Sequence, residues 1–318
     1  MFLEAFKVTG SAVGQIFLLA AIGYFLVKKE LLGHDGLDAI SRLVMEVTLP
    51  IMIFVQLIRD FRFGLYPDWW IFPLLSIAIT VIGLAAGALF LWLVKGRQHK
   101  LQFLSLVTFQ NSGYLPLGLA AALLPKDKAD VMFIYIFLFL FGFNLLIFSL
   151  GTFMLTSSGA KKFEWQDLFS PPVVAVIFSL TCVYFGLNRF IPAGVLKPLD
   201  MAGTCTLPLA MFVVGGNLAQ LKLSHIDIKA VGLLVLVKMI LMPLLGLWLV
   251  VKFKIASLLG LFILIQLAVP AATTLSVIIR HYKKEDLLIS RGIFFSHIAS
   301  LVTIPVFLSL YFTLVMIQ

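Results

Sequence analysis

Charge is what this chain has least of. Asp, Glu, Lys and Arg make up 12% of its 318 residues, while apolar residues make up 61%. A soluble domain carries roughly twice that charge and is about 45–50% apolar. Mean hydropathy is +1.09, so a water-soluble globule is excluded and a lipid bilayer is the expected solvent. Cysteine is nearly missing. The two present, Cys182 and Cys205, sit in apolar stretches without metal-ligand spacing, and each reads as a small buried hydrophobe. Enzyme signatures are missing as well. There is no GxSxG, no HExxH and no Asp-rich prenyl-diphosphate motif, which sets aside a membrane-embedded hydrolase or transferase. No cofactor or metal is called for.

Acids are outnumbered by bases, 15 to 24, for a net charge of +9. The basic residues are scattered between apolar segments as KKE, KGRQHK, SSGAKK and RHYKKED. Short basic loops orient a membrane protein, whereas nucleic acid needs a patch with stacking aromatics, so no nucleic-acid partner is expected. The opening MFLEAFKVTG places an acid before its single lysine and has no small-residue cleavage site. It is expected to be a mature first helix and not a removed signal peptide.

What the chain does have is a repeat. Thr48-Leu49-Pro50 returns as Thr206-Leu207-Pro208, 158 positions later, each followed at one offset by Phe-Val (Phe54-Val55, Phe212-Val213). Gln110 with Pro116, in FQNSGYLPLG, is answered by Gln266 with Pro270, in IQLAVPAATT. Tyr24-Phe25 and Tyr184-Phe185 extend the match. Duplicated halves with interrupted hydrophobic segments at matching places point to a secondary transporter and its binding site.

Ten apolar spans are expected, near residues 10–27, 37–58, 70–94, 101–124, 131–155, 172–187, 195–218, 230–251, 255–279 and 287–316, each close to the ~20 residues that cross ~30 Å of hydrocarbon. The fold class is therefore an all-α polytopic membrane protein. Residues 1–155 form a first five-helix repeat, 156–170 a short cytoplasmic linker and 171–318 a second repeat. Five is odd, so the second repeat enters the bilayer from the opposite side and the repeat is inverted. Loops after odd-numbered spans carry twelve Lys and Arg, from Lys28 to Lys284, against nine, from Lys7 to Lys254, on the other face. The positive-inside rule then places both termini outside the cytoplasm, with the chain in the inner (plasma) membrane.

The chemistry is expected where helices break. Gly113 and Pro116 interrupt span four and Pro270 interrupts span nine, because proline lacks the helical N–H and clashes with the preceding turn. Backbone freed in hydrocarbon is tolerated only where protein or a wet cavity satisfies it. Gln110, Asn111, Ser112 and Tyr114 surround the first break; Gln266, Thr273, Thr274 and Ser276 surround the second. If each break opens its helix, two half-helix N-termini face one cavity and favour an anion. Pro50 and Pro208 are the candidate hinges of the other interrupted spans.

Ionisable residues inside spans are costly and usually functional. Glu46, one turn before Pro50, is matched in the second half by Thr204. It is the candidate to carry a coupling proton or Na+; the competing role is an ion pair with Arg42 on the same helix face. Lys238 is expected either to snorkel or to neutralise a carboxylate such as Glu46 or Asp200. His297 reads as a hydrogen-bonded packing residue, Arg291 as an interfacial anchor, and Asn144 and Asn217 as interhelical hydrogen-bonding groups.

The stretches VTLPIMIFVQL, QNSGYLPLGLA, LPLAMFVVGGNLAQL and VPAATTLSVIIRHY together resemble the auxin efflux carrier family, which includes plant PIN-type carriers and bacterial permeases for malonate and malate. The likeness runs from about residue 10 to residue 315. It implies a fold similar to the bile acid:sodium symporters, with a scaffold of spans one, two, six and seven and a transport domain of spans three to five and eight to ten. In that family broken helices four and nine cross, and a small organic anion binds beside the crossing. Carried over, the matching positions are Asn111, Gln110 and Ser112, with Pro116 and Pro270 at the crossovers. PIN-type members have a long loop between spans five and six, and only residues 156–167 are available for it here, so the compact bacterial-type permease is the closer match. The expected function is alternating-access transport of a mono- or dicarboxylate coordinated by Asn111, Gln110, Gln266 and Thr273. Proton coupling, sodium coupling and no coupling stay open, as does a homodimer through Phe-rich outer faces. The alternative is a sensor or scaffold that binds a small ligand or lipid on a transporter fold without transport.

Overall fold

In the computed structural model the protein is all-helical over the described residues, 1–156, 169–221, 223, 227–255, 257–286 and 288–315. Twelve helices follow one another: α1 Phe2–Lys28, α2 His34–Asp60, α3 Ile71–Leu89, α4 Arg97–Thr108, α5 Tyr114–Leu123, α6 Lys126–Thr156, α7 Pro171–Tyr184, α8 Ala193–Gln220, α9 Ile228–Lys252, α10 Ser257–Ala268, α11 Thr274–His281 and α12 Ile289–Val315. Seven of them (α1, α2, α3, α6, α8, α9 and α12) are long and apolar enough to cross a membrane. Span four resolves into α4 and α5, and span nine into α10 and α11. Most of the expected linker, with Lys161 and Lys162, lies outside the described residues, as do Lys222, Leu287 and Met316.

Proline shapes the long helices as its chemistry requires. In α2 a π-helical turn, Leu43–Thr48, ends two residues before Pro50; in α9 another, Val237–Leu241, ends two residues before Pro243. Widening the turn accommodates the missing N–H and the ring's clash with the carbonyl one turn back. At Pro208 the solution differs. Regular helix stops at Thr204 and resumes at Thr206, so Pro208 falls in a first turn, where an N–H is not needed. Cys205 sits at this joint and is exposed, unlike the buried Cys182. The expectation of burial for Cys205 therefore fails, because the kink turns it out of the packed face.

Packing recurs when the halves are exchanged. α1 lies on α8 as α7 lies on α2; α3 lies on α6 and α4 as α9 lies on α12 and α10; α4 meets α12 as α10 meets α6. One detail fixes the register. A Cβ on Gly87 would sit 2.7 Å from Leu104 and 3.4 Å from Val107, and a Cβ on Gly246 would sit 2.8 Å from Leu267 and 3.6 Å from Leu264. Each glycine thus opens the same notch for the helix that follows. Large apolar side chains such as Leu18, Leu74, Trp92, Met201, Trp248 and Val302 are exposed on the outer faces, the arrangement a lipid-facing surface needs.

The tightest seam joins α1 to α8. A Cβ on Gly215 would lie 1.7 Å from the Ala20 carbonyl oxygen, and one on Gly23 would lie 2.2 Å from that of Phe212. Backbone meets backbone here, as small residues permit between membrane helices. Gly215→Leu is expected to destabilise the purified protein by roughly 3 kcal/mol or more through overpacking. Gly10→Ala, whose Cβ meets nothing within 4 Å, is the control and is expected to shift stability by less than about 1 kcal/mol. Thermal unfolding in detergent checks both.

Candidate functional site

The two breaks cross and pair with each other. After α4 ends at Thr108 the chain runs extended to Gly113; after α10 ends at Ala268 it runs irregularly to Thr273. The Asn111 N–H donates to the Pro270 carbonyl (2.8 Å) and the Ala272 N–H to the Phe109 carbonyl (2.9 Å). Gln110 and Ala271 face each other as an isolated antiparallel bridge. Backbone freed by one break is thus satisfied by the other, the condition for irregular chain at membrane depth. α12 adds an acceptor, with the Ser296 hydroxyl receiving the Ala271 N–H (3.3 Å). The Gln266 amide donates to the Ser112 carbonyl (3.2 Å).

The prolines play different parts in this geometry. Pro270 lies inside its break and supplies the carbonyl for Asn111. Pro116 does not lie in a break. It occupies the first turn of α5, after Gly113 at the helix boundary, where its fixed φ suits helix initiation. The expected equivalence of Pro116 and Pro270, and of Gln110 and Gln266, is therefore replaced by an equivalence of whole breaks: Thr108 matches Ala268 and Tyr114 matches Thr274 as helix ends.

Beside the crossing is a cavity with about 60 Å³ of free space. Its walls are Met45 and Leu49 of α2, residues 110–114 of the first break, Leu140, Phe143 and Asn144 of α6, and residues 272–274 of the second. No wall residue is charged. Five expected binding residues meet here: Gln110, Asn111, Ser112, Thr273 and Thr274. Gln266 does not reach the wall and braces Ser112 from behind. Both amide atoms of Gln110, the Nδ2 of Asn111 and the Oε1 of Gln266 are buried without a hydrogen-bond partner. Buried polar groups are rarely left so, and those of Gln110 and Asn111 belong to wall residues of the cavity. The breaks are stiffened by aromatic contacts that lead from Phe72 through Phe262 and Phe139 to Phe143 and Phe109, with ring centroids 5.4–6.1 Å apart.

Several expected residues fall elsewhere. Glu46 is exposed and lines an outer apolar groove with Pro50, Phe54, Phe169 and Phe178; its neighbours Met45 and Leu49 take the cavity side. Among the described residues it makes no ion pair, with Arg42 or any other group. Arg291 is 6% exposed and bonds the Asp286 carbonyl (3.0 Å), so it is buried and not an interfacial anchor. Lys238 neither snorkels nor meets a carboxylate. It is fully buried, and its Nζ donates to the Val107 carbonyl (2.8 Å). His297 is buried as expected, with Nδ1 on the Ile293 carbonyl (2.8 Å). Asn144, read as interhelical glue, instead faces the cavity. A polar cluster also went unread. Arg59 joins Gln56, Asp60 and Asp200 at 3.0–3.5 Å beside Lys126 and Asp130. Its one sequence signal was the i, i+3, i+4 spacing of Gln56, Arg59 and Asp60 at the end of a span.

Seven helices long and apolar enough to cross a membrane, with two broken ones that meet beside a neutral polar cavity, define a polytopic membrane protein. The chain belongs to the auxin efflux carrier family: the family profile, described as membrane transport protein, matches in two parts, residues 9–162 and 155–308. The two-part match agrees with an internal repeat. Among curated proteins the chain is 23% identical to an uncharacterized transporter of Methanothermobacter thermautotrophicus over 299 residues, 92% of this chain and 94% of the relative. It is 24% identical to an uncharacterized transporter of Methanocaldococcus jannaschii over 211 residues, 64% of this chain and 67% of the relative.

Removing the Ser296 hydroxyl tests the crossing without touching the cavity wall. Ser296→Ala leaves the Ala271 N–H unpaired in a buried place and is expected to cost about 1–3 kcal/mol. Thermal unfolding should show the loss, and hydrogen exchange should quicken first at Ala271.

Proposed function

We propose that this membrane transporter carries a small organic anion, such as a mono- or dicarboxylate, by alternating access at the crossing. One observation carries the reading. The first residues of α5 and of α11, Tyr114 and Thr274, both line the same uncharged cavity, so two positive helix ends converge where unpartnered amides wait. Asn111, Gln110, Ser112, Thr273 and Thr274 would supply hydrogen bonds to the carboxylate, with Gln266 positioning Ser112. At about 60 Å³ the cavity is contracted, and binding widens it by moving one helix group against the other.

The packing supports a division for that movement. α8 packs on α1 and α2, and α2 on α7, as a scaffold; α3–α6 and α9–α12 form the group that contains the crossing, and α1 meets that group through α12 and α5. In this reading the ten spans are two inverted five-helix repeats, 1–155 and 171–318, joined by a cytoplasmic linker, 156–170. Both termini lie outside the cytoplasm of a cell whose inner membrane holds the protein.

Two measurements test these statements. The Nδ2 of Asn111 has no partner to lose, so Asn111→Ala is expected to melt within about 1 kcal/mol of wild type. It is also expected to lose the stabilisation that a saturating carboxylate gives the parent, about 2.7 kcal/mol at a hundredfold excess over Kd. Acetate, malonate and benzoate against their neutral amides, followed by uptake into proteoliposomes, are the probes. Equal shifts with acids and amides would remove the anion reading, and binding without uptake would favour a sensor. For orientation, in a variant without Cys182 and Cys205, Leu65→Cys is expected to react with an impermeant maleimide in intact cells. Lys29→Cys is expected to react only after lysis, and the reverse pattern inverts the topology.

A further inference from the structure

The end of α4 is a problem that the fold answers with a side chain. α4 stops at Thr108 in the middle of the protein, and a helix end carries unpaired carbonyls and about half a negative charge. Phe109 N–H returns to the Ser105 carbonyl (2.9 Å). The Val107 carbonyl receives Lys238 Nζ at 2.8 Å. Lys238 stands on the π-helical turn of α9 and has no exposed surface.

Among the described helices packed against its turn, no carboxylate balances that lysine. The π-helical turn packs on α4, α10, α12 and the rest of α9, and none of these helices contains an aspartate or a glutamate. Their titratable groups are His99 and the bases of α4, Lys229 and Lys252 of α9, and Arg291, His297 and Tyr311 of α12. The carbonyl end of α4 is the negative counterpart. The arrangement also breaks the repeat. By the Gly87–Gly246 register, the counterpart of Lys238 is Ile79, a buried apolar residue on α3. A device that the fold itself required would recur in both halves. This one serves only the break that leads into Gln110, Asn111 and Ser112.

We propose that the Lys238 ammonium is a tethered counter-ion of the crossing: a positioning residue at the carbonyl end of α4, whose place a small monovalent cation takes once the lysine is removed. The transporter then needs no sodium ion to hold its first break. The functional consequence rests on the crossing being the transport site, but the test needs no substrate, so a failure of the anion reading leaves it standing.

The experiment is a thermal melt of the full detergent-purified chain in sodium, choline and methylammonium chloride at equal ionic strength. Wild type is expected to melt at one temperature in all three. Lys238→Ala, which opens a space beside the Val107 carbonyl, is expected to melt lower in choline and to recover in sodium or methylammonium. Lys238→Met fills the space without charge; it is expected to melt lower in every salt and to exchange the Phe109–Ser112 amides faster, while Lys238→Arg retains part of the stability. Selective stabilisation of wild type by sodium would overturn the proposal. So would a Lys238→Met variant as stable as wild type, or a Lys238→Ala variant that no cation restores.

Discussion

Inside hydrocarbon a backbone N–H or C=O has no water to turn to, and each one left unpaired costs several kcal/mol. The architecture of this transporter turns on one solution to that constraint. Two helices are interrupted, and the liberated groups of Phe109 and Asn111 pair with those of Pro270 and Ala272 on the other break. Neither interruption is tolerable alone. Each requires the other to lie within 3 Å, so the two halves of the chain must be brought together for the site to exist.

Much of the surrounding structure serves that meeting. α3 and α9 each present a glycine notch to the half-helix that follows, at Gly87 and Gly246, so α4 and α10 are seated alike before they break. The phenylalanines of α6 pack beside the first break; Gln266 bonds the Ser112 carbonyl of that break, and Ser296 accepts the Ala271 N–H of the second. Away from the crossing, α1 and α8 touch backbone to backbone at Gly23 and Gly215. That seam is rigid for want of side chains that could slide, which suits a frame against which another group moves.

Charge is kept out of the cavity and placed around it. The wall offers amides, hydroxyls and helix N-termini. The Arg59 cluster lies between α2 and α8, and Lys238 is buried behind α4. Glu46 stands on the face of α2 that points away from the site. Lys238 stands instead against the carbonyl end of α4.

By itself the sequence determined the membrane environment, the helical class, the repeat and the Asn-Ser-Gly segment as a polar interruption of its span. These follow from composition, from the periodic return of Thr-Leu-Pro and from the physical cost of proline and glycine in a span, all of which are local. It also separated Gln110, Asn111, Ser112, Thr273 and Thr274 from the bulk of the chain. Only the tertiary structure decided that Pro116 starts a helix while Pro270 lies in a gap, because a missing N–H is harmless in a first turn and harmful one turn later. Only it decided that Asn144 and Met45 face the cavity while Glu46 does not, since a π-helical turn shifts the faces of α2. And only it joined Lys238 to Val107, a contact across 131 positions, because which carbonyl a buried lysine meets is set by how helices pack and not by the residues beside it in the chain.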